Sequence, residues 1–164
     1  MFRNGRIIFL FLLAWTLCAC EGTTFQSSVP AYPVRVVIDT KVGEFVHFQP
    51  TATGSHVVVN KEGYFLNGKF IKIPNATDMW GYGGVIVYVN YQNGYDAYDL
   101  CCPNCAALKQ SCTIDGFFAT CPHCGEQYDL SSGTAAPQKG IAHEFLRRLN
   151  IINSDGKLTV TQRQ

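Results

Sequence analysis

Four cysteines in two matched pairs are the residues of this chain whose spacing points most directly to chemistry. Cys102-Pro-Asn-Cys105 and Cys121-Pro-His-Cys124 repeat one pattern, and fifteen residues separate the two pairs. This spacing is typical of a metal site with four thiolate ligands. In each pair the proline restricts the backbone between the cysteines, so that a tight turn aims both sulfurs at one point. We therefore predict that these four cysteines bind a metal centre.

The four thiolates leave the nature of the centre open. Four sulfurs in a tetrahedron suit zinc, a single iron or an iron–sulfur cluster. A second interpretation is a pair of disulfides that close two loops of a secreted domain. The remaining cysteines of the region, Cys101 and Cys112, are either a disulfide pair or ordinary buried thiols. His123 could be a ligand in place of Cys124, but its pair already has two cysteines, so a turn residue or a hydrogen-bond donor to a sulfur is favoured.

A thiol oxidoreductase is the third interpretation, because thiol oxidants of the periplasm also use a Cys-Pro-His-Cys sequence. In such enzymes a helix N-terminus lowers the pKa of the first thiol. Here Gly125-Glu-Gln-Tyr-Asp follows the second pair and indicates a strand, and no β-α-β pattern precedes it. The motif is present without its usual scaffold, so a thiol oxidoreductase ranks below the metal centre and the pair of disulfides.

The sequence around the cysteines resembles the cluster-binding part of a Rieske iron–sulfur domain. That family has a C-x-H box and, after a spacer, a C-P-x-H-G box that is followed by a short strand, a turn and a proline loop. Cys102 and Cys121 match the cysteines of the two boxes. The positions that match further features of the family are Gly84–Tyr88, Ala97–Asp99, Gly125, Gln127–Leu130, Gly133 and Pro137. The resemblance implies an all-β fold of two antiparallel sheets, a sandwich or partial barrel, with a small metal-loop subdomain (loops 101–106 and 121–125).

This chain departs from the Rieske pattern at its histidine ligands. Asn104 stands at the position of the first histidine and Cys124 at that of the second. His123 stands where many members of the family have a cysteine that forms a disulfide. The resemblance still implies a 2Fe–2S cluster, electron transfer and a redox protein partner. Because two histidines on one iron raise the potential of a Rieske centre, four cysteines imply a low, ferredoxin-like potential.

The N-terminus predicts export and lipid attachment. Arg3 and Arg6 precede an apolar run, residues 7–17, that is too short to span a bilayer. The sequence Leu17-Cys18-Ala19-Cys20 resembles a bacterial lipobox, so residues 1–19 are predicted as a signal peptide and Cys20 as the lipidated residue. Residues 20–32 form the lipidated N-terminus and tether. The predicted location is the bacterial cell envelope, extracytoplasmic, facing the periplasm or the cell surface.

Composition limits the other functions. After signal removal, 11 basic residues (13 minus the two signal arginines) face 12 acidic ones, and no basic cluster predicts nucleic-acid binding. Residues 33–164 have the size of one domain with its own core. No Ser/His/Asp arrangement or carboxylate pair stands out, so an electron carrier or a binding module is expected rather than a stand-alone enzyme.

Alternating patterns predict strands along most of the domain. Val34, Val36 and Ile38 alternate with polar residues, and residues 44–48 and 55–60 continue in the same style. Asn67-Gly68 predicts a type I′ hairpin turn, because these residues accept positive φ angles. Residues 141–152 are ambiguous between helix and strand, whereas the sequence after Leu149 indicates a closing hairpin.

Overall fold

The fold is almost entirely β. The computed structural model describes residues 27–73, 77–139 and 144–163, and these contain thirteen strands and two short 3₁₀ helices, Gly43–His47 and Pro103–Leu108. The strands are β1 (Val34–Asp39), β2 (His56–Asn60), β3 (Gly63–Leu66), β4 (Lys69–Ile71), β5 (Met79–Trp80), β6 (Val85–Val89), β7 (Tyr95–Asp99), β8 (Thr113–Asp115), β9 (Phe118–Thr120), β10 (Gln127–Asp129), β11 (Ala136–Lys139), β12 (Asn150–Ser154) and β13 (Lys157–Thr161).

The strands form three antiparallel sheets. One has five strands in the order β4-β3-β2-β6-β7, and a second has four in the order β12-β13-β1-β5. The third, in the order β11-β10-β9-β8, is built from the short strands that surround the cysteine loops. This confirms the predicted all-β fold, with two main sheets and a smaller subdomain that has a sheet of its own.

The main core is apolar and separate from the cysteines. It contains inward-facing residues of β1, β2, β6 and β13, such as Val36, Val57, Val87 and Leu158, all of which are fully buried. A second cluster joins the other face of β6 and β7 to the cysteine subdomain, and Ile86, Tyr98 and Leu130 lie in it beside the cysteines. The main sheets thus have a core of their own, and the cysteine loops are packed on one side of it.

Several local predictions can be compared with the structure. The Asn67-Gly68 turn is confirmed, with φ angles of 48° and 82° between Leu66 and Lys69. The closing hairpin is also confirmed, as β12 and β13. The strand predicted over residues 44–48 is wrong, because this segment forms the first 3₁₀ helix. Phe45 and Phe48 are both buried there, at the spacing of three residues that a 3₁₀ turn places on one side.

The chain before β1 packs on the domain. Residues 27–32 belong to the segment predicted as a tether, yet Val29 has no exposed surface. The predicted signal peptide and Cys20 lie outside the described residues. Within the described ranges, no helix combines the length and the apolar character needed to cross a bilayer.

Candidate metal centre

The first cysteine loop leaves the end of β7 and is shaped by a 3₁₀ turn. Pro103 begins the second 3₁₀ helix, where its fixed φ is compatible with the turn, and the Cys105 amide donates to the Cys102 carbonyl oxygen at 3.0 Å. Lys109 ends the helix in the left-handed conformation, with φ of 52°. The Cys102 amide then donates to the Gln110 carbonyl at 2.9 Å, which closes the loop. Cys102 and Cys105 are therefore held on one side of a compact turn.

The second cysteine loop is the tip of the hairpin formed by β9 and β10. The Cys121 amide donates to the Glu126 carbonyl at 2.8 Å, and the Gly125 amide donates back to the Cys121 carbonyl at 2.9 Å. Gly125 has φ of +74°, which glycine adopts without strain. The hairpin thus presents Cys121 and Cys124 toward the first loop.

The two loops bring the four predicted cysteines together. Their sulfur atoms all lie within 4.8 Å of one another. The distance from Cys102 Sγ to Cys124 Sγ is 3.7 Å, and the distance from Cys105 Sγ to Cys121 Sγ is 3.9 Å. A metal–thiolate bond of about 2.3 Å makes each edge of a regular tetrahedron about 3.8 Å. The donor set therefore fits a single tetrahedral ion with little rearrangement.

Burial differs among the four thiols. Cys102, Cys105 and Cys121 are buried, whereas Cys124 is exposed. Burial and the neighbouring thiols raise the pKa of Cys102 to about 11, against a hydrogen bond from Tyr128 that lowers it. Burial also raises the pKa of Cys121, but the amides of Cys124 and His123 outweigh it and lower that pKa below its usual value. Four thiols this close need a cation to balance them when they ionise, which is the environment of a metal site.

Two side chains contact the sulfurs from outside the set. Tyr128 on β10 has its hydroxyl 3.3 Å from Cys102 Sγ, and this tyrosine is fully buried. His123 Nδ1 lies 3.5 Å from Cys105 Sγ, and the tautomer that carries its proton on Nδ1 donates to this sulfur. The contact between Tyr128 and Cys102 was not predicted from the sequence. Its signal was the central position of Tyr128 in the strand that leaves the second loop, which predicts an inward side chain. Donors to the sulfurs fix their orientation and stabilise their negative charge.

Replacing Tyr128 with phenylalanine is expected to keep the metal and weaken the site. The change removes one hydrogen bond to Cys102 while the ring still fills its place, so we expect a loss of about 1 kcal/mol in the free energy of unfolding. If the centre is iron, its reduction potential falls, because the reduced centre loses a donor that stabilised its extra charge. Chemical denaturation and a redox titration of both proteins check this. If the iron-loaded variant has an unchanged reduction potential, the hydrogen bond from Tyr128 to the Cys102 sulfur does not act on the centre.

The first loop is anchored to the main sheet by Asp99. This aspartate at the end of β7 is 1% exposed and accepts hydrogen bonds from the amides of Tyr82 at 2.7 Å, Gly83 at 2.9 Å and Cys101 at 2.9 Å. Gly83 also packs directly on the Cys101 backbone, since a Cβ at Gly83 would lie 2.6 Å from Cys101 Cα. The glycines after Trp80 thus have a structural role, as the loop packs tightly over them.

The other predicted candidates lie outside the group of four. Cys101 and Cys112 are free thiols, so the alternative of a disulfide between them is not what the structure has. Cys101 packs with Val29 and Ala106, whereas Cys112 packs beside Cys102 in a different cluster. The thiol-oxidant scaffold is also absent at Cys121, because the second pair lies between two strands rather than at the start of a helix.

These observations define a class: an all-β protein in which two loops of a small subdomain place four cysteines as a candidate metal-binding group. The fold and the two-loop subdomain are those that the Rieske resemblance implied, with Asn104 exposed on the first loop and Cys124 within the group of sulfurs.

Comparison with known proteins finds solved structures of low similarity to this chain. No family model matches the chain, and no curated protein matches it. One similar chain comes from the complex of reduced oxygenase and oxidized ferredoxin in carbazole 1,9a-dioxygenase, with 15% identity and a TM-score of 0.45 over 79% of this chain and 95% of that one. Another is the Sphingomonas yanoikuyae B1 ferredoxin, with 19% identity and a TM-score of 0.40 over 70% of this chain and 94% of that one.

Proposed function

We propose that the protein is an electron carrier whose Cys102, Cys105, Cys121 and Cys124 thiolates hold iron. The observation that carries the proposal is the group of four sulfurs within 4.8 Å of one another, with three buried and one exposed. Iron bound there supplies a one-electron redox couple. A centre at the edge of a rigid β-scaffold is insulated on one side and close to a docked partner on the other.

The residues around the sulfurs suit this role. Tyr128, His123 and the two amides at Cys121 place donors on three of the four sulfurs. Such donors stabilise the more negative, reduced centre and also reduce the rearrangement between its two charge states. The chain's contribution is therefore to hold the ligands, supply these donors and exclude water from three sulfurs.

The spacing of the sulfurs supports a choice between one metal ion and two. A 2Fe–2S cluster, which the Rieske resemblance implies, has two ligands on each iron, so sulfurs on different irons stand further apart than sulfurs that share one iron. Here all four sulfurs lie within 4.8 Å of one another, and the distances of 3.7 and 3.9 Å match the edges of a tetrahedron around one ion. We therefore place a single iron first and the 2Fe–2S cluster second.

Structural zinc is the second candidate function, and the same tetrahedron favours it. A closed site of four thiolates is typical of structural zinc, and it leaves no open position for catalysis. In that case the centre joins two loops that the main core does not hold, and the protein is a binding or interaction module. The geometry of the ligands is common to both metals, so metal content decides between them.

The proposed location is the outside of a bacterial membrane, with a lipid on Cys20. This rests on the signal sequence and lipobox, and it makes the membrane one partner and a redox protein the other. Mass spectrometry of the protein from a membrane fraction tests it: a diacylglyceryl-modified Cys20 at the N-terminus is expected. An intact residue 1, or cleavage after another residue, would overturn it.

Metal analysis of the full-length chain tests the function. We would purify it in detergent, without oxygen, from a host that exports it, and measure iron, zinc, acid-labile sulfide and the visible spectrum. One iron without sulfide is the expected result. Two irons with two sulfides would support electron transfer but overturn the proposal of a single iron. Zinc alone would support the structural module, and a metal-free protein with oxidised thiols would overturn both functions.

A further inference from the structure

The segment before β1 lies across the first cysteine loop. We call residues 27–32 the N-terminal strap. Its centre, Val29, is fully buried in a small cluster with Cys101 and Ala106. Cys101 directly precedes the first ligand, and Ala106 directly follows the second in the 3₁₀ helix. The strap thus contacts the loop on both sides of the Cys102–Cys105 turn.

Aromatic contacts extend this interface. Tyr32 of the strap packs against Tyr82, with ring centroids 5.0 Å apart, and the Tyr82 hydroxyl donates to the Ala106 carbonyl at 3.1 Å. Lys109, the residue that ends the 3₁₀ helix, places its Nζ 5.8 Å from the Tyr32 ring and 5.1 Å from the Tyr82 ring. Both ends of the helix that carries Cys105 are therefore linked to the strap.

Polar contacts fasten the strap to the segment that leads into β12. The Ser28 amide and hydroxyl each donate to the Glu144 carboxylate at 2.6 Å. Arg147 Nη1 donates to the Val29 carbonyl at 2.7 Å. Glu144 and Arg147 precede β12, so the strap is held between the first cysteine loop and the chain that leads into the closing hairpin. Specific hydrogen bonds therefore hold the strap on the domain, unlike a linker without such contacts.

We propose that the N-terminal strap is a positioning element of the metal centre, and that strap docking and metal binding favour each other. The proposal rests on the proposed function only in requiring that the four cysteines bind a metal. Because Val29 packs on Cys101 and Ala106, which flank the two ligands, the strap limits the positions of Cys102 and Cys105 before metal arrives. By linkage, a strap that favours the bound loop geometry must itself dock more firmly when metal is bound.

The first experiment measures Co²⁺ binding to the full-length, reduced chain by chelator competition, with the thiolate-to-cobalt charge-transfer band as the signal. Val29→Asp places a charge against Cys101 and Ala106 and should weaken Co²⁺ binding about tenfold. Val29→Ala should do so less. Val42→Asp is the matched control, because Val42 is 56% exposed and belongs to neither the strap nor the cysteine loops. Equal affinities in all four proteins would overturn the proposal.

The second experiment measures the effect of metal binding on the docking of the strap. Hydrogen exchange of the wild-type chain should show slower exchange at the Ser28 and Tyr32 amides, which donate to Glu144 and to the Pro30 carbonyl, when Co²⁺ is added. Exchange in β13 should be unchanged, which separates coupling from a general gain in stability. Strap exchange that does not respond to Co²⁺ would overturn the proposal. Failure of the wild-type chain to bind Co²⁺ would overturn the proposed function instead.

Discussion

Replacing Cys121 with serine is expected to abolish metal retention. Cys121 is fully buried, and its sulfur receives the amides of His123 and Cys124. A serine hydroxyl there keeps its proton and is a poor ligand for the metals that four thiolates select. Replacing a residue that only hydrogen-bonds to a metal ligand lowers metal affinity about 10- to 100-fold. Replacing a ligand itself should therefore lower it at least about 100-fold.

The same result is expected for Cys102, Cys105 and Cys124, each replaced singly by serine. Cys124 is the most informative of them, because it is exposed and its loss removes no core packing. Cys112→Ser is the matched control: this thiol is buried near the site but lies outside the group of four. Metal content per chain and chelator competition measure the outcome. A Cys124→Ser protein with full metal content would remove that residue from the ligand set.

The grouping of the four cysteines could be predicted from the sequence because much of the required information is local. Each Cys-Pro-x-Cys turn places its own two sulfurs, and only the approach of the two loops depends on the fold. The Asn67-Gly68 turn was predictable for the same reason, since its positive φ angles are a property of two adjacent residues. Features set by four neighbouring residues or fewer were therefore accessible without the structure.

What the sequence did not reveal depends on distant partners. Residues 44–48 alternate like a strand, but two buried phenylalanines turn them into a 3₁₀ helix against the core. The strap has the mostly small residues of a linker, and contacts with residues far along the chain hold it in place, among them Cys101, Glu144 and Arg147. The contact from Tyr128 to Cys102 joins residues 26 positions apart. None of these contacts leaves a periodic signal in the chain.

Asp99→Asn is the second change for which we expect a large effect, on stability rather than on ligand identity. The wild-type carboxylate accepts three amides, with Gly83 and Cys101 on Oδ1 and Tyr82 on Oδ2. An asparagine keeps the two bonds at one oxygen but turns an NH₂ group toward the Tyr82 amide. One buried donor then has no acceptor, so we expect the free energy of unfolding to fall by about 2 kcal/mol at pH 7. Urea denaturation of both proteins in the same metal state measures it.

The pH dependence of this difference follows from the pKa of Asp99. Burial raises that pKa above 3.8, and the three amides and Arg147 offset the shift only in part. The folded protein therefore holds the proton more tightly than the unfolded chain, and wild-type stability falls as pH rises from about 3.8 through the folded pKa. The stability of the wild type relative to Asp99→Asn should therefore be largest at low pH and level off above the folded pKa of Asp99.

Asp155→Asn is the contrasting control. The hydrogen bond and charge of Lys41 lower the pKa of the exposed Asp155 carboxylate, so the stability of the wild type relative to Asp155→Asn should decrease as pH falls. A difference for Asp99→Asn that grows with pH would mean that the amides, and not burial, dominate at the anchor of the first cysteine loop.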